Sequence, residues 1–431
     1  MNLRKLSHLG KGTYGHVYEA IDDKTQQVYA VKKNFVSPQY INTIGTLREL
    51  DLLNLFRGHP CCVQLINYCC TSPFSTETKI DTSSPSVGNY VGDKLFLIME
   101  KGNFDGEKFI HGWKKKPASR RKALFSEKLC FVQHIALAIE FMHANGIYHR
   151  DLKPGNIICY CNSEGVLQSA KITDFGLSQY YNPNIMSLPG FVTPWYRAPE
   201  IALMKDYNLK IDVWSFGCIL FETFSHNNKR FSEFNDDSEF IQHCISKLGV
   251  TDEDYLLAKQ LYPYILEKPR QIASLPFSLG YTNILLDSQT ASRSPPEAPH
   301  NNVSFSPKIT TINLSQMMAE TSSVIESPIN WNLVLSEFGT REMFEKYLDL
   351  LKKCLVIDSK KRYSISKCCN SEFLTRANNF IRETRRKFDI TDTGERLKEE
   401  NIYDYSSSVT RQVGMRWFIT VYNDRFKAPI N

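Results

Sequence analysis

The run His149-Arg150-Asp151-Leu152-Lys153-Pro154-Gly155-Asn156 constrains this chain more than any other stretch of it. It sets a carboxylate and an amide five residues apart, and Asp174-Phe175-Gly176 follows at loop spacing. A carboxylate that can take or orient a hydroxyl proton, an ammonium two residues on, and two oxygen donors for a hard cation are the groups that phosphoryl transfer from a nucleotide requires. A fold that suits this chain has to bring those two loops together.

Length and composition narrow the setting. At 431 residues the chain can hold about two to three folding units. The formal net charge of +6 permits acidic partners but does not by itself point to nucleic acid. With no long arginine-rich run and no aromatic-basic interleaving, a nucleic-acid partner is not expected. Twelve cysteines occur, several as adjacent pairs (Cys61-Cys62, Cys69-Cys70, Cys368-Cys369), with no CxxC pair and no secretory apolar region ahead of them. They read as reduced thiols buried as small hydrophobes. No run approaches the roughly 18 to 20 apolar residues that span a bilayer, and the N-terminus has no targeting pattern. The expectation is an intracellular, soluble protein of the cytoplasm or nucleus, with no membrane partner.

Short apolar runs at Leu6 to Leu9, Val17 to Ile21 and Val28 to Lys32 read as three successive strands. A helical apolar face follows around Leu47 to Phe56, then strands near Val63 to Tyr68 and Lys94 to Glu100. Between those strands, residues 71–92 are rich in Ser, Thr, Pro and Gly and read as a mobile loop extending a hairpin. Beyond about residue 120 the pattern turns helical. Phe125 to His143 and the almost continuously apolar Ile211 to Phe224 suit helices buried among others. Residues 287–327 form a second low-complexity insertion, and compact structure is expected again from Trp331 to about Phe373.

Gly10-Lys11-Gly12-Thr13-Tyr14-Gly15-His16-Val17 lies between two expected strands, where its glycines would let backbone approach nucleotide phosphates and Val17 would rest on the base. Alone it could be an ordinary glycine-rich turn or a dinucleotide fingerprint; it leads into a strand and not a helix, which argues against the latter. Ala30-Val31-Lys32 sets an ammonium on the third strand, and Glu49 on the next helix is the partner that would aim it. A lone strand lysine is otherwise a solvated surface residue, and Lys33 would face the other side. Asp151 would accept or orient the substrate hydroxyl proton, Lys153 would steady the moving charge, and Asn156 and Asp174 would hold magnesium ions.

In family order, these motifs resemble the eukaryotic-type protein kinases, as do Ala198-Pro199-Glu200 and Asp212-Val213-Trp214-Ser215-Phe216-Gly217. The resemblance runs from about residue 4 to 375, apart from the two insertions. It implies an α+β fold of two lobes: a small antiparallel sheet with one regulatory helix over about 4–101, and a larger, mainly helical lobe over about 104–375. It further implies ATP and Mg2+ as cofactors, Asp212 supporting the catalytic loop, and Arg362 paired with Glu200. Met99 would be the gatekeeper, with Glu100 and Gly102 binding adenine through backbone atoms; a methionine there is otherwise a core filler.

Within kinases the resemblance is to the cyclin-dependent subfamily, through residues 10–18, Thr46-Leu47-Arg48-Glu49-Leu50 and Val192-Thr193-Pro194-Trp195-Tyr196-Arg197-Ala198-Pro199-Glu200. That implies Ser/Thr specificity, a cyclin-like activator, and substrates with proline after the target residue. Arg197 would then occupy the backbone carbonyl that otherwise meets the incoming peptide. Thr13 and Tyr14 match inhibitory phosphosites of that subfamily. Ser187 lies near its activating threonine, displaced by about one position; a phosphate there could recruit Arg150, and a plain surface serine is the other reading.

The chain also departs from the pattern. Residues 41–49 keep the Arg48-Glu49 end but alter the partner-facing portion, and Gly45 costs helix propensity up to about 1 kcal/mol relative to alanine. After Phe373, residues 376–387 carry four arginines and one lysine, which suits either an acidic or membrane partner or a solvated helix on the large lobe. Within the extension 376–431, residues 409–422 weakly resemble the start of a cyclin box. Insertions and tail together suggest a large DNA virus or a fast-evolving unicellular eukaryote, with a host cell as the setting in the first case. Rival readings are a pseudokinase-like module sequestering a cyclin-type partner, and a mitogen-activated type of proline-directed kinase. The intact phosphate and metal contacts disfavour the first; the lack of a Thr-x-Tyr pair between Asp174 and Pro199 disfavours the second.

Overall fold

A computed structural model of the chain describes residues 2–12, 15–36, 42–69, 74, 93–112, 121–181, 193–225, 230–231, 234, 236–248, 252–262 and 331–375. Five strands build the small lobe: β1 (Leu3–Gly12), β2 (Gly15–Asp22), β3 (Val28–Val36), β4 (Leu65–Cys69) and β5 (Asp93–Glu100). They form one antiparallel sheet in the order β1-β2-β3-β5-β4. The middle of β5, Leu95 to Met99, is apolar at every position because both faces of this strand are covered. Phe96 and Ile98 join a cluster with Leu3, Ala20, Tyr29 and Val31, while Leu95, Leu97 and Met99 join the main core. Strand alternation does the same on β3, burying Val31 on one face and turning Lys32 to the other.

Helix α1 (Asn42–Leu55) packs beneath the sheet and runs straight through a buried Gly45. Burial of Leu50, Leu52 and Leu53 overrides the propensity cost of that glycine. The chain after α1 is bound to the other lobe: Val63 N donates to Ile172 O at 3.0 Å and Ile172 N donates to Cys61 O at 2.9 Å.

In the large lobe, α2 (Gly106–His111) follows the short β6 (Phe104–Asp105), and α3 (Arg121–Ala144) forms the spine. From Phe131 to Ile139 nearly every α3 side chain is buried, which is why its apolar pattern is not confined to one stripe. Strands β7 (Ile147–Tyr148), β8 (Ile157–Cys161), β9 (Leu167–Ile172) and β10 (Gln179–Tyr180) close the cleft floor. β8 pairs with β6 and β9, and β10 pairs with β7. Residues 149–156 therefore form the turn between β7 and β8, and Asp174 emerges just past β9. Below lie α4 (Pro199–Ala202), the buried α5 (Lys210–Phe224), α6 (Asp237–Leu248), α7 (Asp252–Leu261), α8 (Trp331–Phe338), α9 (Arg341–Cys354), α10 (Ile365–Cys369) and α11 (Glu372–Thr375).

The two-lobed α+β architecture implied by the sequence is the one that forms. Most of the two insertions, the tail beyond residue 375, Thr13, Tyr14, Ser187 and Val192 lie outside the described residues. One residue within the 71–92 segment is described: Phe74 is buried against Phe96 and Tyr18 and bridges to Leu3. That part of the expected loop is thus packed on the sheet, because an aromatic ring there removes apolar surface from water. The described cysteines are free thiols. Among the described residues no helix is long and apolar enough to cross a membrane.

Candidate active site

Lys32 is buried on β3 with its ammonium between two carboxylates. Nζ donates to both Glu49 oxygens at 2.7 Å and to Asp174 Oδ1 at 2.8 Å. Three segments far apart in sequence meet here: a strand and a helix of the small lobe, and the loop after β9. Burial alone would pull the lysine down, but Glu49 and Asp174 outweigh it and hold the ammonium above its usual range. Burial pushes the Glu49 carboxyl up to about 7, against the pull of Lys32. Burial would also raise Asp174, yet Lys32 holds that carboxyl below the ordinary carboxylate range.

A second cluster stands on the large lobe. Asp151 Oδ1 accepts from the Thr193 hydroxyl at 2.8 Å and from its backbone N–H at 3.3 Å. Asp151 Oδ2 accepts from Lys153 Nζ at 2.8 Å and from Asn156 Nδ2 at 3.1 Å. Lys153 also donates to Thr193 Oγ1 at 2.9 Å, and Asn156 Nδ2 donates to the Asp151 carbonyl at 2.8 Å. With its amide nitrogen so engaged, Asn156 keeps its amide oxygen as an acceptor.

Buried Asp212 explains why the loop holds this shape. Its two oxygens accept from the backbone N–H groups of His149 (2.7 Å) and Arg150 (3.0 Å), and His143 Nε2 lies 3.0 Å away. Arg150 has a φ of 72° and Asp174 a φ of 64°, the left-handed region that non-glycine residues enter only when surroundings impose it. His149 Nε2 reaches Thr173 O at 3.0 Å, linking the two loops.

The glycines differ in what requires them. Among the described residues a Cβ on Gly10 would meet nothing within 4 Å, so their packing does not demand that glycine. A Cβ on Gly15 would fall 2.0 Å from Lys33 O, so there β2 itself needs the bare backbone. Gly12 pairs with Gly15, Lys11 is exposed, and Val17 lies opposite both Gly10 and Lys32. Ala30 pairs with buried Met99 across β3 and β5. Gly102 passes so close to β8 that a Cβ would lie 2.3 Å from Ile158 Cγ2. The side chain of Glu100 ties strands together: both its oxygens accept from Lys171 on β9 at 2.8 Å, and Oε1 accepts from Gln64 N at 2.7 Å.

The residues read as substrate-binding or regulatory are not gathered in one place. Arg150 donates to Gln179 Oε1 at 2.8 Å and to Tyr207 OH at 3.1 Å. Arg197 holds Asp237 through Nη1 at 2.6 and 2.7 Å. Thr193 lies in the Asp151 cluster, while Ser187 and Val192 fall outside the described residues. Sequence reading missed Lys171, Glu107, Arg230 and Glu222. Only Glu222 carried a signal, as an acid near the end of the apolar run 211–224.

The two-lobed fold, with a buried ion-paired lysine facing a loop of carboxylate, ammonium and amide, is that of the kinases. The protein kinase domain family matches residues 3–374, and the chain belongs to that family as a protein serine/threonine kinase. It is 32% identical to cyclin-dependent kinase B1-1 of Arabidopsis thaliana over 255 residues, which is 58% of this chain and 76% of that protein. To cyclin-dependent kinase 4 of Xenopus laevis it is 33% identical over 242 residues, 56% of this chain and 67% of that protein. Identity to cyclin-dependent kinase G1 of Arabidopsis thaliana is 31% over 259 residues, and the chain spans only 37% of that protein's length.

Proposed function

We propose that this kinase moves the γ-phosphoryl group of ATP, with Mg2+, onto Ser or Thr hydroxyls followed by proline, and that a cyclin-type protein raises its activity. The observation that carries the catalytic part is the meeting of Asp151, Lys153, Asn156 and Thr193 on one loop system. The donor set fits a hard divalent cation: the amide oxygen of Asn156 and the carboxylate of Asp174, whose charge is favoured by Lys32. Magnesium, when bound, would offset charge on the transferring phosphates.

Lys32, aimed by Glu49 and Asp174, presents its ammonium to the α- and β-phosphates. The bare backbone at Gly10 allows the β1–β2 turn to come close to the nucleotide, with Ala30, Val17 and Met99 bounding the base. Asp151 Oδ1, now bonded to the Thr193 hydroxyl, orients the incoming substrate hydroxyl and takes its proton. Lys153 steadies the charge that develops during transfer. Positioning and electrostatics supply the catalysis.

Proline direction and a cyclin-type partner draw support from the cyclin-dependent kinases among the relatives and from the likeness of residues 46–50 and 192–200. Arg197, within the latter segment, is anchored on Asp237.

The test uses the purified chain and Asp174→Asn with MgATP and paired peptides that differ only in Pro or Ala after the acceptor Ser, with and without a co-purified cyclin. Wild type is expected to transfer phosphate, faster to the Pro peptide and faster with the partner, and the variant to transfer none. Equal rates on both peptides would remove proline direction, and equal rates with and without cyclin would remove the partner. No transfer under any condition would sink the reading.

A further inference from the structure

Strand β3 carries a polar side chain that phosphoryl transfer as derived above does not use. Asn34 lies two residues beyond Lys32 and so faces the same side of the strand, the side on which Lys32 meets Glu49 of α1. Its partners across the sheet are Gly15 on β2 and Leu95 on β5. Leu95 belongs to the core that also holds Leu50, Leu52 and Leu53 of α1, while Val31 and Phe96 on the opposite face join the outer cluster. An apolar residue would suit position 34, between sheet and helix.

The chain has a carboxamide there instead. Asn34 is fully buried, and neither its Oδ1 nor its Nδ2 has a hydrogen-bond partner. Among the described residues no other side chain has two such orphaned atoms. Oδ1 is pressed against the start of β2, since a Cβ on Gly15 would lie 2.7 Å from it. A buried amide with both groups unmet costs free energy that hydration would return. Water reaches a place between sheet and helix only when the helix withdraws. The same withdrawal parts Glu49 from Lys32, because that contact bridges α1 and β3. The amide is thereby set against the ion pair two residues away.

We propose that Asn34 is a positioning residue that opposes the seating of α1 on the sheet, and so holds down the fraction of molecules in which Glu49 aims Lys32. This rests on the reading of a partner-activated kinase and adds to it the internal counterweight that makes a partner necessary. Asn34 touches no reacting atom; it acts through α1 and Glu49. A partner that binds the seated helix has to overcome the orphaned amide, and removing the amide lightens that task by the same factor.

The experiment compares wild type with Asn34→Leu, close in volume but without polar atoms, and Asn34→Val, whose branched side chain suits a strand. Transfer to a Ser peptide is measured with MgATP, without and with saturating cyclin, beside deuterium uptake by the backbone amides of residues 46–55. Asn34→Leu raises the cyclin-free kcat about tenfold, the size of one orphaned group relieved, and leaves the cyclin-saturated kcat unchanged. Half-activation needs about tenfold less cyclin, and uptake over 46–55 slows by a similar factor. A merely structural role would shift the urea midpoint and leave the ratio of cyclin-free to cyclin-saturated kcat as in wild type, which would overturn the inference. Either variant serves if the other does not fold; loss of the fold in both would show that the native state needs the amide, and would overturn it too. No transfer to any peptide, or a wild type indifferent to cyclin, would instead take down the reading beneath, while uptake over 46–55 still decides the role of Asn34.

Discussion

Two buried clusters of cation and carboxylate lie on opposite sides of the cleft. In the large lobe, Arg362 holds both Glu200 oxygens at 2.7 and 2.8 Å. Its remaining donors are taken by the carbonyls of Val356 (2.9 and 2.8 Å), Ile357 (3.3 Å) and Lys210 (2.9 Å), and its plane lies 5.2 Å from the Trp214 ring. In the small lobe, Lys32 holds Glu49 and Asp174, and the Asp174 side chain is 21% exposed, on strained backbone. A guanidinium whose every donor is committed to the protein has nothing to offer a ligand and serves to tie Glu200, beside the activation segment, to the base of the lobe. An ammonium held by carboxylates from two other segments, one of them only partly buried, can exchange a carboxylate for a phosphate. Buried charge marks a functional site here only where its satisfaction is divisible.

The contrast can be broken at its functional end first. Asp174→Asn should reduce phosphoryl transfer by at least about a thousandfold while the melting temperature shifts little. Collapse of the cooperative melt in Asp174→Asn would show that this cluster is structural too. At the other end, Arg362→Met leaves Glu200 buried and uncompensated, and should cost about 3–5 kcal/mol of unfolding free energy in urea denaturation. Arg362→Met combined with Glu200→Leu should recover most of that loss; no recovery would mean that the carbonyl contacts, not the ion pair, hold the region.

A third buried group extends the comparison to one kept neutral. His134 accepts the Ala170 N–H on Nδ1 at 3.0 Å, and burial, helped by Lys171, pulls it down to about 4. As pH falls below the unfolded value of about 6.5, the unfolded chain takes up a proton that the fold refuses. Stability should therefore fall by about 3 kcal/mol between roughly pH 6.5 and 4 through this group, and no further below. His134→Gln should flatten that part of the stability profile, and an unchanged slope would assign it elsewhere. The smallest effect calibrates the rest: Thr340 caps α9 by accepting from Met343 N at 3.1 Å, and Thr340→Ala should cost about 1 kcal/mol in the same denaturation assay.

The sequence carried the elements whose signals are local. Strands β1 to β5 and helices α3 and α5 announce themselves by alternation or by continuous apolar runs, and Lys32, Glu49, Asp151, Lys153, Asn156 and Asp174 sit in contiguous motifs. Contacts that join distant segments have no such signature. Thr193 could be named, but not its bond to Asp151 across 42 positions. Glu100 was read for its backbone, whereas its carboxylate holds Lys171 across 71 positions. Arg230 and Glu107, 123 positions apart, left no mark at all, because each alone is an ordinary charged residue near a turn or on a short helix. Gly102 fits the hinge reading, yet its closeness to Ile158 supplies a steric reason for glycine that is independent of nucleotide.

The hydrogen bonds between residues 61–63 and Ile172 fasten the chain just beyond the Leu55 end of α1 to the large lobe, although the helix body lies under the small-lobe sheet. A rod fixed at one end behaves as a lever. Glu49 lies about 9 Å from Leu55 along the axis and Asn42 about 20 Å from it, at 1.5 Å per residue. Any displacement applied at the Asn42 end reaches the Lys32 contact at roughly half its amplitude, so a movement of the outer turn is geared down, and the force behind it geared up, before it bears on the lysine.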